Sequence, residues 1–358
     1  MLIQKVHLNT ATTLEPEGSV LVIYTGGTIG MVYDKGAGHL VPFNFGEIMQ
    51  RMPELRQLNI SLSLISYSSP IDSSDVTDED WIQLAAIIRE NYEEYDGFVI
   101  LHGTDTMAYT ASALSYLLEN LQKPVIFTGA QVPIGKMRTD ARENLITALE
   151  IAVSTRQGRC IVPEVCIYFG DLLLRGNRSK KVESSHFNAF KSVNYPVLAH
   201  AGVNIEYHPM YLRPLPSGAF KAYQQLERNV VRLKLFPGLA ERVIRSLLST
   251  EGLKGVVLES YGSGNAPTAP WFLKAMQEAI DRGTFIYNVS QCDGGRVEQG
   301  QYQTSKYLQQ MGVIGGADIT SEAAVTKLMF VLGLGLPPDK TRELLERDIR
   351  GEISEVPL

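Results

Sequence analysis

Two threonines flank a pair of glycines, Thr25-Gly26-Gly27-Thr28, where the apolar run 20–24 ends. Glycine lets the backbone bend sharply and a ligand come close, so Thr28 offers its hydroxyl in a setting that suits a nucleophile. A plain turn after a strand would look the same in isolation. A second segment, His102-Gly103-Thr104-Asp105-Thr106, follows the apolar run 97–101 and opens a helical pattern. Thr104, Asp105 and Thr106 therefore stand at a helix start, where backbone N–H groups point outward and the dipole is positive. Capping accounts for one such residue, at about 1 kcal/mol; three leave a hydroxyl and a carboxylate over. A third segment, Asp72-Ser73-Ser74-Asp75, follows the strand-like 62–65 and precedes a helix with Thr77 at its N-cap and Asp80 three residues on; an Asx or serine turn fits it as well. The fourth, Phe127-Thr128-Gly129-Ala130-Gln131, is again a strand running into glycine. The fifth, Arg175-Gly176-Asn177-Arg178-Ser179-Lys180-Lys181, reads as a basic turn after the strand 165–169, or as a solvated loop.

Taken together these segments end successive strands on one expected sheet edge and offer two threonine hydroxyls, a serine, a carboxylate and a lysine. A hydroxyl nucleophile with a lysine nearby points to acyl transfer. Threonine is a weak nucleophile at its free pKa and needs a base; a lysine serves when burial and neighbours lower its pKa. A carboxylate with a serine suits capture of a small zwitterion. No metal is called for, because the six histidines and three cysteines show no ligand spacing. No cofactor is called for either: the GxGxxG and Walker spacings are absent, as is a GxSxG elbow.

The elements that must position these groups alternate. Strand-like runs at 97–101, 125–127 and 165–169 are separated by helical patterns at 108–121 and 142–153. This rhythm predicts an α/β fold with a mostly parallel sheet and helices on both faces, with ligands beyond the carboxyl ends of the strands. Pro209, Pro214, Pro216 and Gly218 weaken the pattern, and it then resumes at 230–236, 239–248, 255–258, 271–280 and 285–289. The expected organisation is an extension at 1–18, a larger N-terminal catalytic domain at 19–206, a linker at 207–228 and a smaller C-terminal α/β domain at 229–358. The 358 residues carry a net charge of -6 with scattered Lys and Arg, which argues against nucleic acid as a partner. No apolar run approaches the roughly 18 residues of a membrane span. Residues 1–18 are polar, with no signal-type apolar region, and Cys160, Cys166 and Cys292 form no disulfide framework. A reducing cytoplasm is expected, with Cys166 in the core.

The chain resembles the bacterial-type L-asparaginases, in particular the cytosolic type I branch. The resemblance rests on Thr25-Gly26-Gly27-Thr28, Leu101-His102-Gly103-Thr104-Asp105-Thr106-Met107, Thr128-Gly129-Ala130-Gln131, Tyr261-Gly262-Ser263-Gly264-Asn265-Ala266-Pro267 and Gly312-Val313-Ile314-Gly315-Gly316-Ala317-Asp318, and covers residues 20–352. It implies hydrolysis of L-asparagine to L-aspartate and ammonia through a β-aspartyl ester on Thr28. It also implies a second group of Thr104, Asp105 and Lys181, in which the lysine polarises Thr104 and Asp105 favours the charged lysine. Lys181 rather than Lys180 falls in register with the family lysine, counted back from Phe190-Lys191-Ser192. Asp105 would hold the substrate ammonium and Ser73 its α-carboxylate. The N–H groups of Gly27 and Thr104 are oxyanion-hole candidates, and the Ala130 carbonyl would orient the leaving amide. Such enzymes form homodimers or dimers of dimers, and the loop 262–267 is a candidate contributor to that border.

Three positions depart from the family pattern. A catalytic tyrosine is expected either from Tyr33, in the loop after the first signature, or from Tyr302, which is preferred. An arginine and a threonine that serve cooperative activation by asparagine in some type I enzymes stand here as Glu259 and Lys180, although Cys292 is retained. An acid in place of a base argues against that regulation. Residues 1–18 have no counterpart. The close rival is a glutaminase or mixed glutaminase-asparaginase, since one methylene is worth only about 1–3 kcal/mol in a pocket. The remote one is a non-enzymatic amino-acid sensor, which would not need Thr28, Thr104 and Lys181 together.

Overall fold

A strand buried on both faces reads as one continuous apolar run, and residues 20–24 are such a run. In the computed structural model, which describes residues 3–8, 15–34, 36, 39–42, 48, 52–300 and 303–354, they form the inner part of a central strand. Two units divide the chain, one of Met1–Ser192 and Pro196–Gln224, the other of Val193–Tyr195 and Gln225–Leu358.

The first unit is built on a nine-stranded sheet. In chain order come β1 (Ile3–Leu8), β2 (Gly18–Gly26), a small hairpin of β3 (Met31–Asp34) and β4 (His39–Pro42) outside the main sheet, β5 (Ile60–Ile71), β6 (Gly97–Leu101), β7 (Val125–Thr128), β8 (Val165–Phe169) and β9 (Leu172–Arg175). A second ladder outside the sheet joins β10 (Ser179–Lys181) to β11 (Phe190–Ser192), and the sheet closes with β12 (Ala199–Ala201) and β13 (Ile205–Tyr207). The sheet order is β1-β5-β2-β6-β7-β8-β9-β12-β13. The five strands from β5 to β8 are parallel; β1 at one end and β9, β12 and β13 at the other are antiparallel additions. The expected mostly parallel α/β sheet is thus observed.

The helices α1 (Asp78–Glu90), α2 (Met107–Leu117) and α3 (Ala141–Val153) belong to this unit. Helix α1 starts at the anticipated capping box, with Thr77 N donating to Asp80 at 2.8 Å, and buries Trp81, Leu84, Ala85 and Ile88 on one face. Helix α2 is buried on nearly every side. It ends at Leu117 rather than near residue 121, because residues 118–119 pair with 221–222 and Asn120 takes a left-handed φ of 54°. Residues inside the proline-rich stretch therefore line the first unit, where Phe220 stacks on Tyr92 with ring centroids 3.7 Å apart. The N-terminal stretch supplies an edge strand, with Ile3 opposite Tyr67 and Leu8 opposite Leu62.

The second unit is a four-stranded parallel sheet of β14 (Val230–Lys234), β15 (Gly255–Ser260), β16 (Phe285–Ser290) and β17 (Ile314–Gly315). Its helices are α4 (Glu241–Leu248), α5 (Pro270–Asp281), α6 (Gln303–Met311), α7 (Ser321–Gly333) and α8 (Pro338–Glu346). Leu233, Ile244, Val256, Leu258, Phe272, Met276 and Ile286 form its core. Glu259 at the end of β15 is buried, with Arg232 Nε at 3.6 Å and Lys234 Nζ at 3.9 Å from its carboxylate. The C-terminal segment is held by Lys327 of α7, whose Nζ lies 2.7 Å from Glu352, both side chains being fully buried. The ammonium also donates to the carbonyls of Leu345 (3.1 Å) and Arg347 (2.6 Å), and Glu352 accepts the Arg350 N–H at 2.7 Å.

Removing one member of a buried ion pair strands the other charge. Lys327→Met is expected to cost about 3–5 kcal/mol in urea unfolding, with Glu352→Gln in the same chain restoring part of the loss. A cost under about 1 kcal/mol would show that the pair does not hold this segment.

Candidate active site

Three strand ends converge in the first unit because the loops that follow them touch. Gly27 has φ 84°, and a Cβ built on it would lie 2.5 Å from the nitrogen of Gly103 and 2.6 Å from its Cα. A Cβ on Gly103 would in turn lie 2.5 Å from Ser73 Oγ. A side chain at Gly27 would displace backbone, and one at Gly103 would displace the Ser73 side chain. Hydroxyls complete the joint: Thr25 Oγ1 donates to the Leu101 carbonyl at 3.0 Å, and Thr106 Oγ1 donates to the Ser73 carbonyl at 2.6 Å. Thr28 begins a single 3₁₀ turn directly after this contact and is partly exposed. Ser73 opens another such turn behind Asp72, which accepts from Ser74 N at 3.0 Å, and is buried. Asp72 makes the Asx turn that its sequence allows.

Lys181 closes the cluster. Its Nζ donates to Thr104 Oγ1 at 2.8 Å and to Asp105 Oδ1 at 2.7 Å. The lysine side chain is 17% exposed and that of Asp105 67% exposed, so the carboxylate faces the open side. The route by which the lysine arrives differs from the expected one. Segment 175–181 is not a turn at the end of β8. The chain reverses at Gly170, runs back as β9, makes one turn at Gly176–Arg178 and enters the separate β10–β11 ladder. Nor is it a solvated loop, since Asn177, Arg178 and Ser179 are fully buried.

Thr104 Oγ1 also faces Gln131 Oε1 at 3.4 Å, and Gln131 Nε2 donates to the His186 carbonyl at 3.1 Å. The loop after β7 is fixed by Asp140, which accepts the N–H groups of Gln131 and Val132 at 2.9 and 3.0 Å, and by Asn144, which donates to the Gly129 carbonyl at 3.0 Å. Ala130 is buried within this loop. Gln131 and the supporting Asn144 were not singled out from sequence; a glutamine directly after a strand-end Gly-Ala was the available signal for the first. Tyr302 lies outside the described residues, and Tyr33 is in β3. Cys166 is in the core and Cys292 is exposed. Among the described residues no group of His, Cys, Asp and Glu is arranged to hold a metal ion, and no helix is long and apolar enough to cross a membrane.

The fold and this cluster define an α/β protein with a hydroxyl, lysine and carboxylate site at the carboxyl ends of parallel strands. Comparison with known proteins narrows the class. Residues 19–212 match the model of the asparaginase N-terminal domain, and residues 229–345 that of the glutaminase/asparaginase C-terminal domain. The chain is 41% identical to L-asparaginase 1 of Escherichia coli over 94% of its own length and 98% of that protein. It is 40% identical to the human 60 kDa lysophospholipase over 96% of its length and 63% of that protein. Among solved structures, L-asparaginase I of Vibrio cholerae superposes with a TM-score of 0.85 at 38% identity, covering 94% of this chain and 99% of that one. The chain belongs to the asparaginase family, in its type I branch.

One titration follows from the burial of His102 under this site. Burial pushes the imidazole down from its ordinary value near 6.5 to about 4, although its bond to Gly103 opposes the shift. The unfolded chain then binds a proton that the folded chain refuses between pH 6.5 and about 4, so stability falls as pH falls through that window. From this group alone the loss is of order 3 kcal/mol. Urea unfolding at pH 7 and pH 4.5 measures it, and His102→Asn should flatten the dependence; an unchanged slope would contradict a neutral buried imidazole.

Proposed function

We propose that this chain hydrolyses L-asparagine to L-aspartate and ammonia, with Thr28 as the nucleophile. The observation that carries the reading is the Lys181 ammonium shared between Thr104 Oγ1 and Asp105 Oδ1, on the loop whose Gly103 touches the loop of Thr28. The Thr28 hydroxyl attacks the side-chain amide carbon, the C–N bond breaks, and ammonia leaves with the hydroxyl proton. Water then adds to the β-aspartyl ester, and Thr28 regains its proton as aspartate departs. Lys181 polarises Thr104, which handles the proton passed between these steps. Asp105 receives the substrate ammonium, Ser73 its α-carboxylate, and the N–H groups of Gly27 and Thr104 receive the developing oxyanion, each such donor being worth about 2.7–4 kcal/mol. The Ala130 carbonyl orients the leaving amide, and Tyr302 is the preferred tyrosine over Tyr33.

A cytoplasmic homodimer or dimer of dimers goes with this reading, with the loop 262–267 at the border of subunits. Glu259 supports simple saturation: its carboxylate is buried against Arg232 and Lys234, so the position offers no cation to an activating carboxylate. Glutamine remains the competing substrate, and the name of the human relative makes a lysophospholipid a useful control.

Ammonia release from L-asparagine and L-glutamine over a concentration series tests the reading. Thr28→Ala should lower kcat by roughly a thousandfold or more, and Lys181→Met by about 10²–10⁴-fold. The asparagine curve should be hyperbolic. A sigmoidal curve would overturn the argument from Glu259, and wild-type protein inert towards both amides would overturn the enzyme.

A further inference from the structure

His102 stands between two loops of the site but has no place in the chemistry above. Its surroundings form a one-way chain of hydrogen bonds. The indole N–H of Trp81 can only donate, and its Nε1 lies 3.0 Å from Thr110 Oγ1. That hydroxyl therefore accepts from the indole and has its own hydrogen to give. His102 Nε2 is 3.0 Å away, whereas the Thr106 carbonyl is at 3.4 Å. On the other side of the ring, Nδ1 lies 2.7 Å from the carbonyl oxygen of Gly103. A carbonyl can only accept, so Nδ1 carries the proton and Nε2 is the acceptor. The ring is 1% exposed, which favours this neutral form.

The consequence lies across one peptide bond. The Gly103 carbonyl and the Thr104 N–H belong to the same planar unit, and none of the described peptide bonds is cis. In a trans peptide the two groups point in opposite directions. Holding the carbonyl on the imidazole therefore aims the Thr104 N–H away from the ring. Among the described residues this N–H has no acceptor, and Thr104 is the residue whose hydroxyl meets Lys181. Gly27 and Ser73 pack against Gly103 itself. Among the described residues, the imidazole is the side chain within hydrogen-bond distance of the Gly103 carbonyl, and a flip of the Gly103–Thr104 peptide plane would break that bond.

We propose that His102 is a positioning residue. In its Nδ1–H form, set by the Gly103 carbonyl and supported at Nε2 by Thr110 and Trp81, it locks the Gly103–Thr104 peptide so that the Thr104 N–H is presented to the oxyanion of the substrate. The inference rests on the amidohydrolase reading and deepens it, by extending the oxyanion hole three residues deep into the first unit.

Two measurements test it together. Nitrogen-15 correlation spectra of the labelled protein at neutral pH should contain one histidine in the Nδ1–H form, assigned to His102 by its loss in His102→Asn. An Nε2–H or doubly protonated ring at this position would overturn the proposal. In steady-state kinetics with asparagine, His102→Leu should lower kcat about 10–100-fold, as misaiming one oxyanion donor does, with KM changed less than about threefold. His102→Asn keeps an N–H at the δ position and should recover at least about tenfold of that loss. Folded variants in which Asn is no better than Leu, or in which kcat is unchanged, would leave His102 with a packing role only and overturn the proposal. If both variants unfold, Trp81→Phe decides: it leaves the imidazole in place and removes the donor that turns the Thr110 hydrogen towards Nε2. A mixed tautomer with reduced kcat supports the relay, and an unchanged spectrum and kcat overturn it. Wild-type protein inert towards both amides overturns the amidohydrolase reading, and this inference with it; active wild type with an indifferent His102 overturns the inference alone.

Discussion

Everything at the site depends on how closely three loops approach one another. Gly27 lies on Gly103, and Gly103 lies on Ser73, at separations that a single methyl group would close. Parallel strands stand about 4.8 Å apart, so loops leaving their ends diverge unless something removes the side chains between them. The two glycines do this, and they bring the turns that carry Thr28, Ser73 and Thr104 onto one rim. The hydroxyl bonds from Thr25 to Leu101 and from Thr106 to Ser73 then fix the joint. A reacting carbonyl needs its nucleophile and its oxyanion donors within about 3 Å at once, and only loops in direct contact can meet that requirement.

The cation arrives by a different route, and its independence has a physical use. Lys181 is carried by the β10–β11 ladder, outside the main sheet. The segment leading to it is anchored by buried groups, including Arg178 and Ser179, whose Oγ donates to the Arg175 carbonyl at 2.7 Å. A charge on a long side chain is positioned well only when its stem is fixed. The ladder fixes the stem, and Thr104 and Asp105 fix the ammonium. Beneath them lies a neutral polar layer of His102, Thr110 and Trp81, in which every donor meets an acceptor. Asp105 thus faces the open side, and this layer of His102, Thr110 and Trp81 stays uncharged.

Much of this was legible in the residues. Strands buried on both faces, such as 97–101 and 165–169, announce themselves as unbroken apolar runs, and the glycines after 24, 102 and 128 mark where those strands turn into loops. The capping box of Thr77 and Asp80 was legible because it is local. What escaped depends on contacts distant in sequence. Residues 172–174 are leucines that simply extend the apolar signal of β8, so the reversal at Gly170 was hidden. Arg178 is a charge, and charge suggests solvent; its burial comes from packing that no local pattern records. The edge strand at 3–8 needs β5, some sixty residues on, to exist at all, with Lys5 opposite Ile65. The end of α2 at Leu117 is decided by a pairing with residues 221–222. The role of His102 is of the same kind, since its partners Thr110 and Trp81 lie on two different helices.

The central claim is that these loops present Thr28, and not Thr104, to the amide carbon. Rapid acid quench of the enzyme turning over L-asparagine, followed by peptide mass spectrometry, tests it most directly. One aspartyl group should be esterified to the peptide carrying Thr28 and be lost in Thr28→Ala. An aspartyl group on Thr104, or steady turnover with Thr28 never modified and Thr28→Ala still active, would contradict it.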